Sequence, residues 1–470
     1  MKHKITLPNL STDFNSDDDF FDEPDFYIPA PTTRTKHRKE LTIDDLPEGI
    51  NLSQIDVDQP PGLAGEIVDY MRKGAHRELT GGAYALGALQ AMSMAAAGIR
   101  GHHGVNLSMI TFTLAISAGG KERVIEVIKK LCKEVGISTY GDIRSDKDLS
   151  KAVVYDKACA RYIINEAQKI LGKDAIKSNK MLKFIPDLIM DISTSDLYNL
   201  PKNHVTEIQR EAYADVSRLE KMIKAKYDIL DSGINVEHEK GKIAAIEHDI
   251  EQLEKRRDAA KHIAETIECG IELPQINLST FSTPQKLADI VDTDSIESGF
   301  LGRALFCDCG EERSELSMLD EEGHQQRQND LRMMLININT RLNLIHQLSQ
   351  EESKETVERG FGGDCLSFYM TEEAREDMRS IVDHYEQNEY RNNSRLGALY
   401  ARLAQRVAAI ASIIALDNID NTMRAVITRE HVRYALKLTL NSLRCIMERL
   451  EINEAEELGS AEALMKAVTG

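Results

Sequence analysis

The stretch TFTLAISAGGKERVIEVIKKL, residues 111–131, constrains the fold more than any other part of this chain. The β-branched and apolar density from Val105 to Ser117 predicts a buried strand bounded by glycines. A Gly-Gly-Lys turn follows at 119–121, and apolar residues then recur at helical spacing from about Glu122 to Val135. Strand, glycine-rich turn and helix in that order are the setting of a phosphate-binding loop, and they predict an α/β fold with a mostly parallel sheet.

A complete loop of this kind reads Gly, four residues, Gly-Lys, then Ser or Thr. Here the positions hold Ala115, residues 116–119, Gly120, Lys121 and Glu122, so two of the four signature positions depart. Gly119 and Gly120 still allow backbone amides to turn inward on phosphate. Lys121 supplies a point charge for the β and γ oxygens, and the helix start adds its dipole. The candidate nucleotide-binding residues are therefore Ser117, Ala118, Gly119, Gly120, Lys121, Glu122 and Arg123. Glu122 stands where a hydroxyl normally holds Mg2+, and a carboxylate beside a triphosphate is repulsive unless a metal lies between them. The competing reading of Gly-Gly-Lys alone is a plain turn.

Three later segments follow in the order such a site requires. A second apolar run, ARYIINEAQKIL, places Asn165 and Glu166 after Ile163-Ile164. In ATPases with a catalytic glutamate, the first residue of such a pair orients metal-bound water and the second is the base for the hydrolytic water. Asn165 keeps an oxygen for the metal shell but not its charge. A third run, INLSTFSTP, ends in Ser282 and Thr283, candidate sensors of the γ-phosphate. SGFLGRALFCD then carries Arg303 in an apolar setting, where a ring ATPase presents an arginine to its neighbour's nucleotide. The alternative is a helix-end arginine paired with a nearby carboxylate. Arg402 and Arg406 lie on LYARLAQRVAAIA, from which one of them can reach back to phosphate from a lid. The implied cofactors are ATP and Mg2+.

The organisation around these segments has four parts. Residues 1–59 are polar, Pro-rich and acidic-aromatic, and are expected to be a disordered tail, either solubilising or partner-binding. Residues 60–104 read as a helical segment whose small-residue stretch 86–99 is too short for a bilayer and suits a packed helix. Residues 105–320 are the α/β core. Within it, Ile243, Ile246, Ile250, Leu253, Ala260, Ala264 and Ile267 keep a three-four spacing that predicts an inserted antiparallel helical hairpin over 205–268. Residues 321–470 read as an all-α lid. A net charge of −19 excludes a surface that is wholly a nucleic-acid footprint, so any DNA contact is local. Seven scattered cysteines, no membrane span and no signal-peptide core point to a cytoplasm, with Cys307 and Cys309 as thiols at a strand end.

The succession GVNLSMITFTLAISAGGKE, YIINEAQ, a long helical hairpin, LSTFSTPQKLADIVDTDSIESGFLGRALF and ITREHVRYALKL resembles a phage and prophage family of primase-associated, helicase-like P-loop ATPases. More distantly, GFLGRALF and RLAQRVAAIA are similar to the arginine-finger and second-sensor segments of minichromosome-maintenance replicative helicases. The resemblance covers roughly residues 60–450 and implies a three-layer α/β/α P-loop core. It also implies a nucleotide-fuelled homo-oligomeric ring, hexameric by analogy, acting on single-stranded DNA in a host cytoplasm, with a primase as possible partner. Lys121, Glu166, Arg303 and Arg402 match its motif positions, and Asn165 departs from the acid expected there. The alternative is a nucleotide-binding scaffold or helicase loader with little turnover. Lys221, Lys224, Lys255, Arg256 and Arg257 on the hairpin are candidate DNA contacts, and a solvated coiled-coil face explains them equally well.

Overall fold

The computed structural model describes residues 45–448 apart from 157, 232–239, 290–298, 311, 316–320, 360–365, 393–396 and 421–422. The expected disorder of the tail from 1 to 44 lies outside the described residues. Residues 45–59 do not continue that tail. Ile50 and Leu52 are buried, the Asp58 carboxylate accepts from Gly81 N–H and Gly82 N–H at 3.2 and 2.8 Å, and Tyr434 Oη donates to the Val57 carbonyl at 2.7 Å. Buried Ile50 and Leu52 and these hydrogen bonds together fasten the strap to the body.

The protein is a mixed α/β structure around a parallel sheet of four strands. These are β1 (Ile110–Leu114), β2 (Cys159–Asn165), β5 (Gln275–Ser282) and β6 (Ala304–Asp308), in the order β2-β5-β1-β6. All five residues of β1 and all eight of β5 are buried, as a strand covered on both faces requires. The β1 strand is shorter than the run 105–117 because its flanks leave the ladder. Before the sheet come α1 (Leu63–Lys73) and α2 (Ala83–Ala95), and every residue of α2 is buried. Its small residues allow this: a Cβ on Gly87 would stand 2.5 Å from a Val124 methyl.

The α3 helix (Lys121–Glu134) follows β1, and α4 (Asp146–Tyr155) leads into β2. After β2 come α5 (Gln168–Leu171), α6 (Lys173–Ser178) and α7 (Ile185–Thr194). The hairpin is present as α8 (Lys202–Asp231) and α9 (Lys240–Thr266). It is antiparallel: Lys226 pairs with Asp249, and Gln209 Nε2 donates to the Ala264 carbonyl. The seam residues Ile250, Leu253, Ala260, Ala264 and Ile267 are buried. Leu219, Ile223, Ile250 and Leu253 form a small core of their own, with Leu230 and Ile246 against it. The root is tied by a two-strand antiparallel ribbon, β3 (Leu197–Tyr198) with β4 (Ile271–Glu272).

The C-terminal part corrects the all-α expectation. Besides α10 (Glu321–Arg359), α11 (Glu372–Tyr385), α12 (Leu403–Ala415) and a final helix α13 at 429–448, it holds a parallel strand pair, β7 (Ser367–Met370) with β8 (Arg424–Ile427). Each strand is only four residues long, and their pairing is not visible to periodicity. These helices pack into the body: Arg341 of α10 pairs with Glu66 of α1 and with Asp417, and Phe306 N–H of β6 donates to Ser442 Oγ at 2.7 Å. Gly397–Ala415 is, among the described residues, the one helical stretch long and apolar enough to cross a membrane, but 61% of it is buried inside the structure.

Candidate functional site

In an open parallel sheet, ligands bind in the crevice beyond the carboxyl ends of the strands. At that edge Leu114 of β1 lies beside Ser282 of β5, and Asn165 of β2 lies beside Phe281 of β5. Ala115 N–H donates to the Ser282 carbonyl at 3.0 Å, and the Glu166 and Ala167 amides both donate to the Phe281 carbonyl at 2.9 Å. Three neighbouring strands thus bring together the glycine-rich turn, the Asn165-Glu166 pair and the Ser282-Thr283 pair.

The turn is left-handed at two positions. Ala118 has φ +58 and Gly120 φ +112, and Gly119 N–H donates to the Ile116 carbonyl at 3.0 Å. A Cβ on Gly120 would stand 2.8 Å from the Arg77 carbonyl, so this position is pressed against the segment before α2. Gly120 is the N-cap of α3 and no side chain caps the helix, so the positive end of its dipole faces the turn. Ser117 and Ala118 are exposed and Gly119 is buried. Lys121 is only 7% exposed, and among the described residues its ammonium has no hydrogen bond or ion pair.

Glu166 has φ +71, a left-handed conformation that a glutamate adopts only where its surroundings enforce it. Its carboxylate pairs with Lys169. That hydrogen bond holds its pKa below the ordinary glutamate value, with Lys286 and Lys121 adding smaller attraction. Asn165 and Glu122 are exposed at the same edge, and among the described residues no side-chain hydrogen bond or ion pair engages either. Ser282 is buried, and its Oγ donates to Gln168 Oε1 at 3.0 Å. Among the described residues no three His, Cys, Asp or Glu side chains converge as a metal centre.

Four arginines singled out from sequence lie away from the turn. Arg123 reaches back to the C-terminus of α1. Its Nε donates to the Met71 carbonyl at 3.3 Å and its Nη2 to the Tyr70 carbonyl at 3.2 Å, with the guanidinium over the Tyr70 ring and beside Glu126. It therefore caps a helix instead of facing the turn. Arg402, expected to reach phosphate from a lid, lies at the opposite edge of the sheet. So do Arg303, which immediately precedes β6, and Arg406. The length of β1 alone separates that edge from the turn by about 13 Å, so none of the three acts on the turn of its own chain.

These arginines line a cavity of about 930 Å3 at the amino ends of β1, β5 and β6. Burial, with Arg402 nearby, pushes the Arg303 guanidinium down to about 10, and burial with both neighbours pushes Arg406 down to about 9. Both remain cationic at neutral pH. At the turn, sequence reasoning missed Lys169, Gln168 and Arg313. Arg313 Nε donates to the Ser117 carbonyl at 3.1 Å. Nothing in its polar surroundings marks Arg313, whereas Lys169 stands three residues after Glu166, the helical pairing distance. The hairpin bases are divided: Lys255 pairs with Glu251 and Arg257 with Asp258, while Lys221, Lys224 and Arg256 are exposed without ion pairs among the described residues.

Compared with family models, curated proteins and solved structures, the chain finds no match in any of the three.

Proposed function

We propose that the carboxyl edge of the sheet is a nucleotide site and that the protein is an ATPase of the P-loop kind. The reading that follows from the sequence resemblance is a DNA helicase or DNA-translocating ring. The observation that carries the ATPase reading is the convergence of Lys121, Glu166 and Ser282 from three adjacent parallel strands, beside a left-handed Gly120 that opens α3. Backbone amides at the turn and Lys121 would hold the β- and γ-phosphates. Glu122 and Asn165 offer the oxygen ligands that Mg2+ takes in addition to phosphate and water. Bound Mg2+ would neutralise phosphate charge, and Glu166 would take the proton of the attacking water. Arg303, remote from its own turn, would serve a neighbouring copy, so activity would require a ring.

A second reading, a nucleotide-binding scaffold or helicase loader with slow turnover, is favoured by one feature. The Glu166 carboxylate is paired with Lys169, which lowers its basicity. The test is Mg2+-dependent ATP hydrolysis with and without single-stranded DNA, on the wild type, Lys121→Ala, Glu166→Gln and Arg303→Ala. The motor reading expects DNA-stimulated turnover that each substitution lowers by at least about a hundredfold, with ATP still bound by Arg303→Ala. ATP binding without turnover on any DNA favours the scaffold. A wild type that ATP does not stabilise against melting refutes both, because a ligand of the folded state must raise its stability.

A further inference from the structure

We infer that the cavity at the amino edge of the sheet is a second anion site, one that holds a small organic phosphate within a single copy of the chain. The inference does not depend on the nucleotide site at the carboxyl edge, and it assigns Arg303 to its own cavity in place of a neighbour's nucleotide.

The first argument is uncompensated charge. Arg406 is 8% exposed. Its Nη2 donates to the Leu301 carbonyl at 2.9 Å and to the Gly302 carbonyl, while its Nε and Nη1 have no partner among the described residues. Arg303 gives one Nη to the Gly299 carbonyl and the Met190 sulfur, and its buried Nε has no partner among the described residues. Arg402 makes no side-chain hydrogen bond or ion pair among the described residues and is half-buried beside the other two. None of the three has a carboxylate partner among the described residues. The acids on the cavity wall are Asp196, which faces Arg100, and Asp383. Like charges held together away from water are unfavourable until an anion joins them.

The second argument is shape and chemistry. Guanidinium forks match phosphate oxygens in two-point hydrogen bonds that an ammonium does not make. Met378 and Val382 of α11 and Ala408 and Ala409 of α12 also line the cavity, apolar surface suited to the organic body of a ligand. A volume of about 930 Å3 accommodates a molecule of nucleotide size.

The chemistry has two sources, a free organic phosphate or the nucleotide bound at the turn of a neighbouring copy, and we favour the free molecule because the three arginines share one cavity with apolar residues of their own chain, Met378, Val382, Ala408 and Ala409. The experiment is calorimetric titration of pyrophosphate and of ADP into the full-length Lys121→Ala protein, in which the turn is disabled, at several protein concentrations. We expect one site per chain, unchanged on dilution, tighter for ADP than for pyrophosphate, and weakened about tenfold or more by Arg402→Gln or Arg303→Gln. Melting curves identify any variant that fails to fold, and Arg402→Lys, which keeps the charge but loses the fork, is expected to fall between wild type and Arg402→Gln. No binding in the Lys121→Ala protein, equal binding in a folded Arg402→Gln variant, or binding that appears only as copies associate would each overturn the inference.

Discussion

Replacing Gly120 by alanine separates what the turn needs from what any left-handed glycine needs. Gly136, just beyond α3, provides the control: it has φ +77 and nothing lies within 4 Å of where its Cβ would stand. Gly120 has φ +112, farther from the left-handed minimum, and its Cβ would meet the Arg77 carbonyl at 2.8 Å. Left-handed backbone costs a β-carbon residue about 1–2 kcal/mol, and forcing backbone apart in a packed region adds about 1–3 kcal/mol. Gly136→Ala should therefore lose about 1 kcal/mol and Gly120→Ala about 3 kcal/mol. With an unfolding entropy of about 2.1 cal/mol/K per residue over roughly 400 residues, each kcal/mol lowers Tm by about 1 °C. The assay is circular-dichroism melting of both variants, with and without Mg-ATP. Gly136→Ala should keep the rise in Tm that ATP gives the wild type, and Gly120→Ala should lose it. If the two variants melt together, or if Gly120→Ala keeps the full ATP effect, the turn does not depend on its wedge against Arg77 and the argument fails.

Arg123→Ala should lose about 1–2 kcal/mol through the uncapped end of α1, yet leave the ATP-induced rise in Tm unchanged; a lost ATP effect would return Arg123 to the nucleotide site. Arg341→Met should cost about 2 kcal/mol in urea unfolding, because Asp417 is left in a largely buried position with only the Leu63 amide as donor. His431 supplies a pH dependence. Burial pushes its imidazole down to about 4, against a smaller opposing pull from Asp417, and its Nδ1 accepts from Thr428 N–H at 3.4 Å. Because the folded pKa is the depressed one, the neutral ring's contribution is full above the ordinary value of about 6.5. It is lost as pH falls from there to about 4, roughly 3 kcal/mol in all. His431→Gln should flatten that part of the stability profile relative to wild type, and identical profiles would refute the assignment.

The parts of the fold legible in the sequence are those written in local period. β1, β2 and β5 show as short continuous apolar runs ended by a glycine-rich turn or polar residues, and α3 and the hairpin seam from Ile250 to Ile267 show as helical spacing. What was not legible depends on partners distant in the chain. β7 and β8 are four-residue strands more than fifty positions apart, and neither has a pattern without the other. Residues 45–59 read as part of a polar tail because partners that fasten them, such as Tyr434 on the Val57 carbonyl and Arg433 on the Gly49 carbonyl, come hundreds of positions later. For the site, residue types at strand ends identified the carboxyl edge, but motif order carries no information about which edge of the sheet an intervening segment reaches. Arg303 and Arg402 follow the sensor strand in sequence and still lie at the far edge.

The hairpin gives the protein a dimension that can change on its own. Its middle is held by Leu219, Ile223, Ile250 and Leu253, its root by the β3-β4 ribbon and the pairing of Lys151 with Glu207 and Glu211, so reach and attachment are specified by different residues. At 1.5 Å per residue the arm extends about 40 Å, and excising seven residues from each helix in register would retract it by about 10 Å. The sheet and its two edges would be left as they are. Arm length is thus open to stepwise adjustment by matched insertions and deletions, a change of span that carries no penalty for the body.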